Sequence, residues 1–196
     1  MSVLLALVLA AHCAPDGRPD PNLSADAADL IEFDALEDAR AFGWGALPGA
    51  ALDTVAGGKI GTHALRAEPG PEPREYMGID LRHDIDLTGA GPNDRIILFV
   101  KQNFGEGLVI NLRTEKGHAH RFVEVKREQW TRVEVDLDLA NWHQGDEAPA
   151  DAWSKVEYLH IYSKGFDASD EYMLLDGFAV FVDGRPRVVR TTPQPE

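Results

Sequence analysis

The sequence predicts an all-β protein, an antiparallel sandwich or barrel of about ten short strands with little helix. Three observations predict it. Short runs of β-branched and aromatic residues recur through residues 29–184, separated by Gly-, Pro- and Asp-rich breaks. Residues 131–137 alternate strictly, with Thr131, Val133, Val135 and Leu137 on one face and Arg132, Glu134 and Asp136 on the other. That period of two is the signature of a strand with one buried face. Residues 171–182 are almost wholly apolar after Glu171 and rich in strand formers, interrupted midway by the carboxylate of Asp176.

Composition sets the outer limits. A chain of 196 residues, 44% hydrophobic, fits one domain with modest extensions. Its formal net charge of -14 repels phosphate backbones and anionic membrane surfaces, which argues against nucleic-acid binding. Such a charge suits cations, neutral polymers or basic partners. The one cysteine, Cys13, rules out an intrachain disulfide.

The elements follow in order. Residues 3–11 form a short apolar run ahead of His12-Cys13-Ala14-Pro15. The run has the length of the hydrophobic region of a secretory signal, with no preceding Lys or Arg, and is too short to span a bilayer. Leu9-Ala10-Ala11-His12-Cys13 approximates a lipoprotein signal, with His12 where a small residue is wanted, so Cys13 is a candidate lipid anchor. The alternative is an inert thiol behind a disordered or core-packed segment. The expected plan is an export signal over residues 1–14, a Pro- and Asp-rich linker over 15–28, the sandwich over 29–184 and a tail over 185–196.

Within the sandwich, residues 30–33 read as a first strand, followed by a helical turn within 34–41. Strands are expected at 51–55, 63–67, 76–81 and 84–87. Residues 95–102 read as a central strand, apolar on both faces at its start. Leu108, Ile110 and Leu112 then share one face of the next strand, opposite Asn111 and Arg113. Residues 118–125, 131–137 and 156–162 add three more strands. Between the last two lies a polar loop carrying Trp142 and His143, with a helical turn near 149–153.

Asp176 is the sharpest local problem. A buried, unpaired carboxylate costs several kcal/mol on the order of the penalties for isolated ions. Its apolar neighbours argue against simple exposure. Asp-Gly between apolar residues is a strong hairpin signal, and a cation clamp is the other solution.

Four features, in order, resemble the galactose-binding-like jelly-roll domain of the carbohydrate-binding-module type. They are Ile31-Glu32-Phe33-Asp34 followed by Trp44; the Gly-rich lead Gly57-Gly58-Lys59-Ile60-Gly61-Thr62-His63-Ala64-Leu65; Trp130-Thr131-Arg132-Val133-Glu134-Val135-Asp136-Leu137; and Met173-Leu174-Leu175-Asp176-Gly177-Phe178. The likeness spans residues 29–182 and implies an antiparallel jelly-roll β-sandwich. It also implies a structural Ca²⁺ joining the first and last strands, with Asp176 and one of Glu32 or Asp34 as ligands and carbonyls near residues 57–62 completing the shell. Ca²⁺ takes six to eight oxygens in flexible geometry.

In such domains ligands lie on the concave sheet or in the loops at one end. The candidate ligand-binding residues are Asn111, Arg113, Arg132, Glu134, Tyr158, His160 and Tyr162 on a sheet, with Trp142 on a nearby loop. Aromatic faces suit the C–H patches of sugars, and amide or charged groups suit their hydroxyls. The plainer alternative is a solvated face of cross-strand ion pairs. His118 and His120 share a strand face and are candidates for chelation, with His160 as a third ligand; solvation at a strand edge is the competing explanation. No Gly-x-Ser-x-Gly, His-Glu-x-x-His, Walker-type or Rossmann pattern occurs. The leading expectation is a noncatalytic, exported sandwich that binds carbohydrate or a related polar ligand. The alternatives are a surface or periplasmic interaction domain and a polysaccharide-lyase-like enzyme.

Overall fold

The computed structural model describes residues 30, 33, 35–72, 75–105, 107–146, 150–164, 170–183 and 185–186. The expected signal and linker lie outside these residues, as do Glu32 and Asp34. A short helix, α1 (Leu36–Ala41), leads into β1 (Trp44–Ala46), β2 (Ala50–Ala56), β3 (His63–Pro69), β4 (Tyr76–Ile85), β5 (Arg95–Gln102) and β6 (Gly107–Thr114). Then come β7 (Gly117–Glu124), β8 (Thr131–Asp136), β9 (His143–Asp146), β10 (Val156–Lys164), β11 (Met173–Val182) and β12 (Arg185–Pro186).

These strands form two antiparallel sheets. The front sheet has the order β1-β4-β10-β6-β7-β9, and the back sheet the order β2-β3-β11-β5-β8, with β12 beside β11. Alternation supplies the core between them. Met77, Ile79, Leu81, Leu108, Ile110, Leu112, Leu159 and Ile161 point in from the front; Leu65, Ile96, Leu98, Val133, Val135, Leu175 and Phe178 meet them from the back. Each such side chain is worth about 1.5–3 kcal/mol when fully buried. Trp44 packs edge-on against both Phe33 and Phe178, with ring centroids 5.4 and 5.1 Å away. It thereby ties the edge of the front sheet to the middle of the back one.

The interrupted apolar stretch is the central strand β11, flanked by β3 and β5. Asp176-Gly177 is a bulge within that strand, not a hairpin turn. Asp176 pairs with Phe99, but the register with β5 resumes only at Ala179 opposite Ile97. Gly177 takes φ +58°, a conformation that glycine adopts freely. The extra residue reverses the strand's parity. Met173 and Leu175 face the core before the bulge, and Phe178, Val180 and Val182 face it afterwards.

The bulge aims Asp176 at the loop between β2 and β3. Its Oδ2 accepts the Ile60 N–H at 2.7 Å and its Oδ1 accepts the N–H of Gly177 at 2.8 Å. The amides of Lys59 and Gly61 also donate to it. Burial pushes the carboxyl above its ordinary value, and these four amides pull it partway back. The approach is close enough to need glycine. A Cβ on Gly58 would stand 2.3 Å from the His63 carbonyl oxygen and 2.8 Å from Asp176 Oδ2. Thus the loop expected to offer carbonyls turns its N–H groups toward Asp176.

The outward side of the back sheet is covered here. Ile97, Ala179 and Phe181 form a second small cluster with Leu30, and Ile60 is buried beside Gly177.

Three expectations change. The strands expected at 76–81 and 84–87 are one strand, β4, because a register shift between Val156 and Tyr158 of β10 keeps the pairing in step past Arg82. Of the expected first strand, Leu30 and Phe33 belong to no strand, and Ile31 and Glu32 lie outside the described residues. The polar loop contains the edge strand β9 as well as two 3-10 turns. β9 reads His143-Gln144-Gly145-Asp146, and without apolar residues it carries no alternation to betray it.

Asp176→Ala should strand several buried amides and lower stability by roughly 3 kcal/mol, about 6–12 °C in Tm. Calorimetry of the full chain checks this. An unchanged Tm would mean that the loop holds without the carboxylate.

Candidate ligand-binding face

The outward face of the front sheet carries chemistry that the back sheet lacks. Hydrogen-bonded register places its side chains in rows across four or more strands. The first row runs Arg82, Tyr158, Arg113 and His118. The second runs Gly45, Asp80, His160, Asn111, His120 and His143. The third runs Gly78, Tyr162, Val109 and Phe122. Five of the eight expected ligand-binding residues, Asn111, Arg113, Tyr158, His160 and Tyr162, therefore share one surface.

Two aromatic rings stand well out of this surface. Phe122 is 63% exposed and Tyr158 39%, and strand geometry puts their Cα atoms about 16 Å apart. Between them lie Asn111 and half-buried His160 and Tyr162, with Tyr162 tilted against Tyr76 at 5.6 Å. Glycine makes room for the rings. A Cβ at Gly107 would fall 2.0 Å from the Phe122 ring, and one at Gly145 would fall 2.0 Å from the His118 ring.

Beneath the second row sits Asp80, 2% exposed, whose Oδ2 accepts from Arg82 Nε at 2.8 Å. Asp80 Oδ1 and Asn111 Oδ1, on the strands flanking His160, are buried without a hydrogen-bond donor. Burial lowers the His160 pKa, the Asp80 carboxylate raises it, and the Arg113 and Arg82 guanidiniums lower it; the net shift is downward. His160 therefore stays neutral through the physiological range and is available as both donor and acceptor. Burial raises the Tyr162 pKa, with Tyr76 adding to the effect, so its hydroxyl keeps its proton.

The other expected residues lie elsewhere. Arg132 and Glu134 are on β8, opposite Phe99 and Ile97 of β5, and so belong to the back sheet. There Arg132 and Arg95 both pair with Glu134, at 2.5 and 3.3 Å. Alternation correctly turned them outward, but period alone does not say which sheet a strand joins. Trp142 is 4% exposed and part of the core, and its Nε1 donates to the Asp136 carbonyl at 2.9 Å. It anchors its loop and offers no platform to a ligand.

Asp80, Arg82 and Phe122 were not anticipated. Phe122 follows the alternation of His118 and His120, which marks an outward face, but an aromatic at that position reads equally well as core. The histidine cluster also differs from expectation. His118 stacks on His120 at 6.1 Å, and the third imidazole is His143, 4.7 Å from His120, rather than His160. Among the described residues no group of three or more His, Cys, Asp or Glu is arranged to hold a metal ion. A separate open groove of about 570 Å³ lies at one end of the sandwich, lined in part by Leu87, Ala90, Leu139 and Trp153.

The depressed His160 pKa fixes the sign of a pH effect. Protonation near the ordinary value of 6.5 is easier in the unfolded chain, so acidification through that range should destabilise the fold. His160→Gln should flatten the slope of Tm between about pH 7 and 5. A slope identical to that of the parent chain would show that His160 is not the group responsible.

No family model matches the chain, and none of the curated proteins does. Solved structures do. An exo-beta-agarase superposes with a TM-score of 0.59 at 9% identity, over 80% of this chain and 25% of its own. The carbohydrate-binding module CtCBM11 gives 0.50 at 12% identity, over 77% of this chain and 92% of its own. The CBM22-1-GH10 modules of Clostridium thermocellum xylanase 10B, complexed with xylohexaose, give 0.50 at 14% identity over 85% of this chain. The chain thus spans about a quarter of the agarase and 29% of the xylanase fragment. At these identities the likeness concerns architecture: the chain is a jelly-roll β-sandwich with the fold of carbohydrate-binding modules.

Proposed function

We propose that this chain is a noncatalytic, exported β-sandwich domain whose front-sheet face binds carbohydrate. The observation that carries the reading is the juxtaposition on one open surface of exposed Tyr158 and Phe122 with Asn111, His160 and the two arginines. Aromatic rings accept the C–H faces of pyranoses, while neutral imidazole, amide and guanidinium groups meet their hydroxyls. The orphaned oxygens of Asp80 and Asn111 add two acceptors that lack donors, and sugar hydroxyls are donors. Arg82 is exposed, so it can shift to admit one. Among the described residues the back sheet offers no comparable surface, since its outward side is partly covered by apolar residues and carries Arg–Glu ion pairs elsewhere. The structural neighbours include carbohydrate-binding modules, which is consistent with this reading.

Export rests on the apolar run at residues 3–11 and on the approximate lipoprotein pattern ending at Cys13, which would tether the domain to a membrane surface through the linker. Among the described residues no helix is long and apolar enough to cross a membrane.

The proposal retains a structural Ca²⁺ held by Asp176 with Glu32 or Asp34. What supports it is the energetic position of Asp176: burial outweighs the amides that solvate it, so an ionised carboxylate there would gain from a nearby cation. The ion would be structural, fastening the start of the domain to β11.

Two measurements test these readings. Affinity electrophoresis against a panel of soluble polysaccharides should retard the chain, and Tyr158→Ala or Phe122→Ala should each weaken binding by about 1 kcal/mol, roughly fivefold. Both residues are exposed, so Tm should barely change; absence of retardation by every polymer would reject carbohydrate binding. Chelation by EDTA should lower Tm and added Ca²⁺ restore it, whereas identical melting curves would leave Asp176 to its amides alone.

A further inference from the structure

The first row of the front face has a charge pattern that the composition of the chain conceals. Arg82 and Arg113 pair with Tyr158 from either side, on β4 and β6. Adjacent strands are about 4.8 Å apart, so the two arginine Cα atoms lie about 10 Å from each other across the tyrosine. Both arginines are exposed, as is the tyrosine. Among the described side chains of the three rows the sole carboxylate is Asp80, which is buried and engaged by Arg82. No ion pair joins Arg113 to a carboxylate among the described residues.

We propose that Arg82, Tyr158 and Arg113 form a subsite for an anionic sugar, a pyranose that carries a carboxylate or a sulfate within a polysaccharide chain. This rests on the carbohydrate-binding reading and narrows it. The ring of Tyr158 takes the apolar face of the sugar, and a guanidinium on either side reaches its charged substituent. Planar guanidinium matches carboxylate and sulfate oxygens with two parallel N–H donors, a geometry that lysine lacks.

The formal charge of -14 does not oppose this. At physiological ionic strength charges more than about 8 Å away are largely screened, so a ligand on this row responds mainly to the guanidiniums it touches. The back-face carboxylates Glu68 and Glu134 lie on the other sheet and have their own arginine partners.

The experiment compares charged with neutral polymers, polygalacturonate and its methyl ester being the pair that shares one backbone. The full chain is titrated at pH 7 and physiological salt with polygalacturonate, with its fully methyl-esterified form, with a sulfated galactan, and with neutral β-glucan and xylan. Binding to at least one of the two charged polymers should be about tenfold tighter than to the ester and the neutral glycans. The preferred charged polymer distinguishes carboxylate from sulfate. Arg113→Ala should remove that preference, weakening the charged polymer by about tenfold more than the neutral glycans while leaving Tm unchanged, and Arg113→Lys should restore it only in part. Equal affinity for polygalacturonate and its ester, with no gain for the sulfated galactan, would overturn the anionic assignment and leave the carbohydrate reading standing. Binding to no polymer at all would overturn both.

Discussion

One buried carboxylate organises the middle of this sandwich. Asp176 lies in the central strand of the back sheet, where an unpaired charge would be costly, and four backbone amides converge on it. The same dipeptide supplies the bulge that reverses the facing of β11. Without that extra residue, the side chains that follow would present the wrong face to the core. Phe178 would then lose its edge-on packing with Trp44, and the front sheet its tie to the back. Gly58 and Gly177 are needed on steric grounds, since a Cβ at either would collide with the arrangement. A charge that looks like an interruption in an apolar strand is what fixes the register of the apolar residues beyond it.

This arrangement also decides which surface is left for a ligand. The loop that wraps Asp176 brings Ile60 onto the outward side of the back sheet, next to Leu30 and the cluster of Ile97, Ala179 and Phe181. The front sheet carries no such cover among the described residues, and its outward residues are of another kind. Aromatic rings, imidazoles, an amide and two arginines replace the Arg–Glu pairs of the back. Sandwich construction thus separates the labour of the two faces: one is closed by packing and charge neutralisation, the other keeps unsatisfied acceptors and exposed rings.

The distribution of charge follows the same division. A strongly acidic chain would ordinarily be assigned neutral or cationic ligands. Yet the row around Tyr158 is lined by guanidiniums, because one carboxylate is sunk beneath the surface while its arginine partner stays outside. Burial of Asp80 with exposure of Arg82 turns a neutral pair into a dipole whose positive end faces solvent. Over distances shorter than the screening length, that local order counts for more than the sum.

What the sequence determined by itself was the class of fold and the facing of individual strands. Alternation in residues 131–137 and at Leu108, Ile110 and Leu112 identified the buried positions, because a strand's period of two is a local property. The same alternation put Asn111, Arg113, Tyr158, His160 and Tyr162 outward. Only the tertiary structure decided which strands are neighbours. It joined β10 to β6 and β4, which assembled those five residues into one surface, and it joined β8 to β5, which removed Arg132 and Glu134 to the opposite side. It also drew Trp142 into the core, with its Nε1 on the nearby Asp136 carbonyl, and brought the loop amides onto Asp176 from 116 residues away. Pairing between strands is long-range, and nothing in a strand's own pattern encodes the identity of its partner.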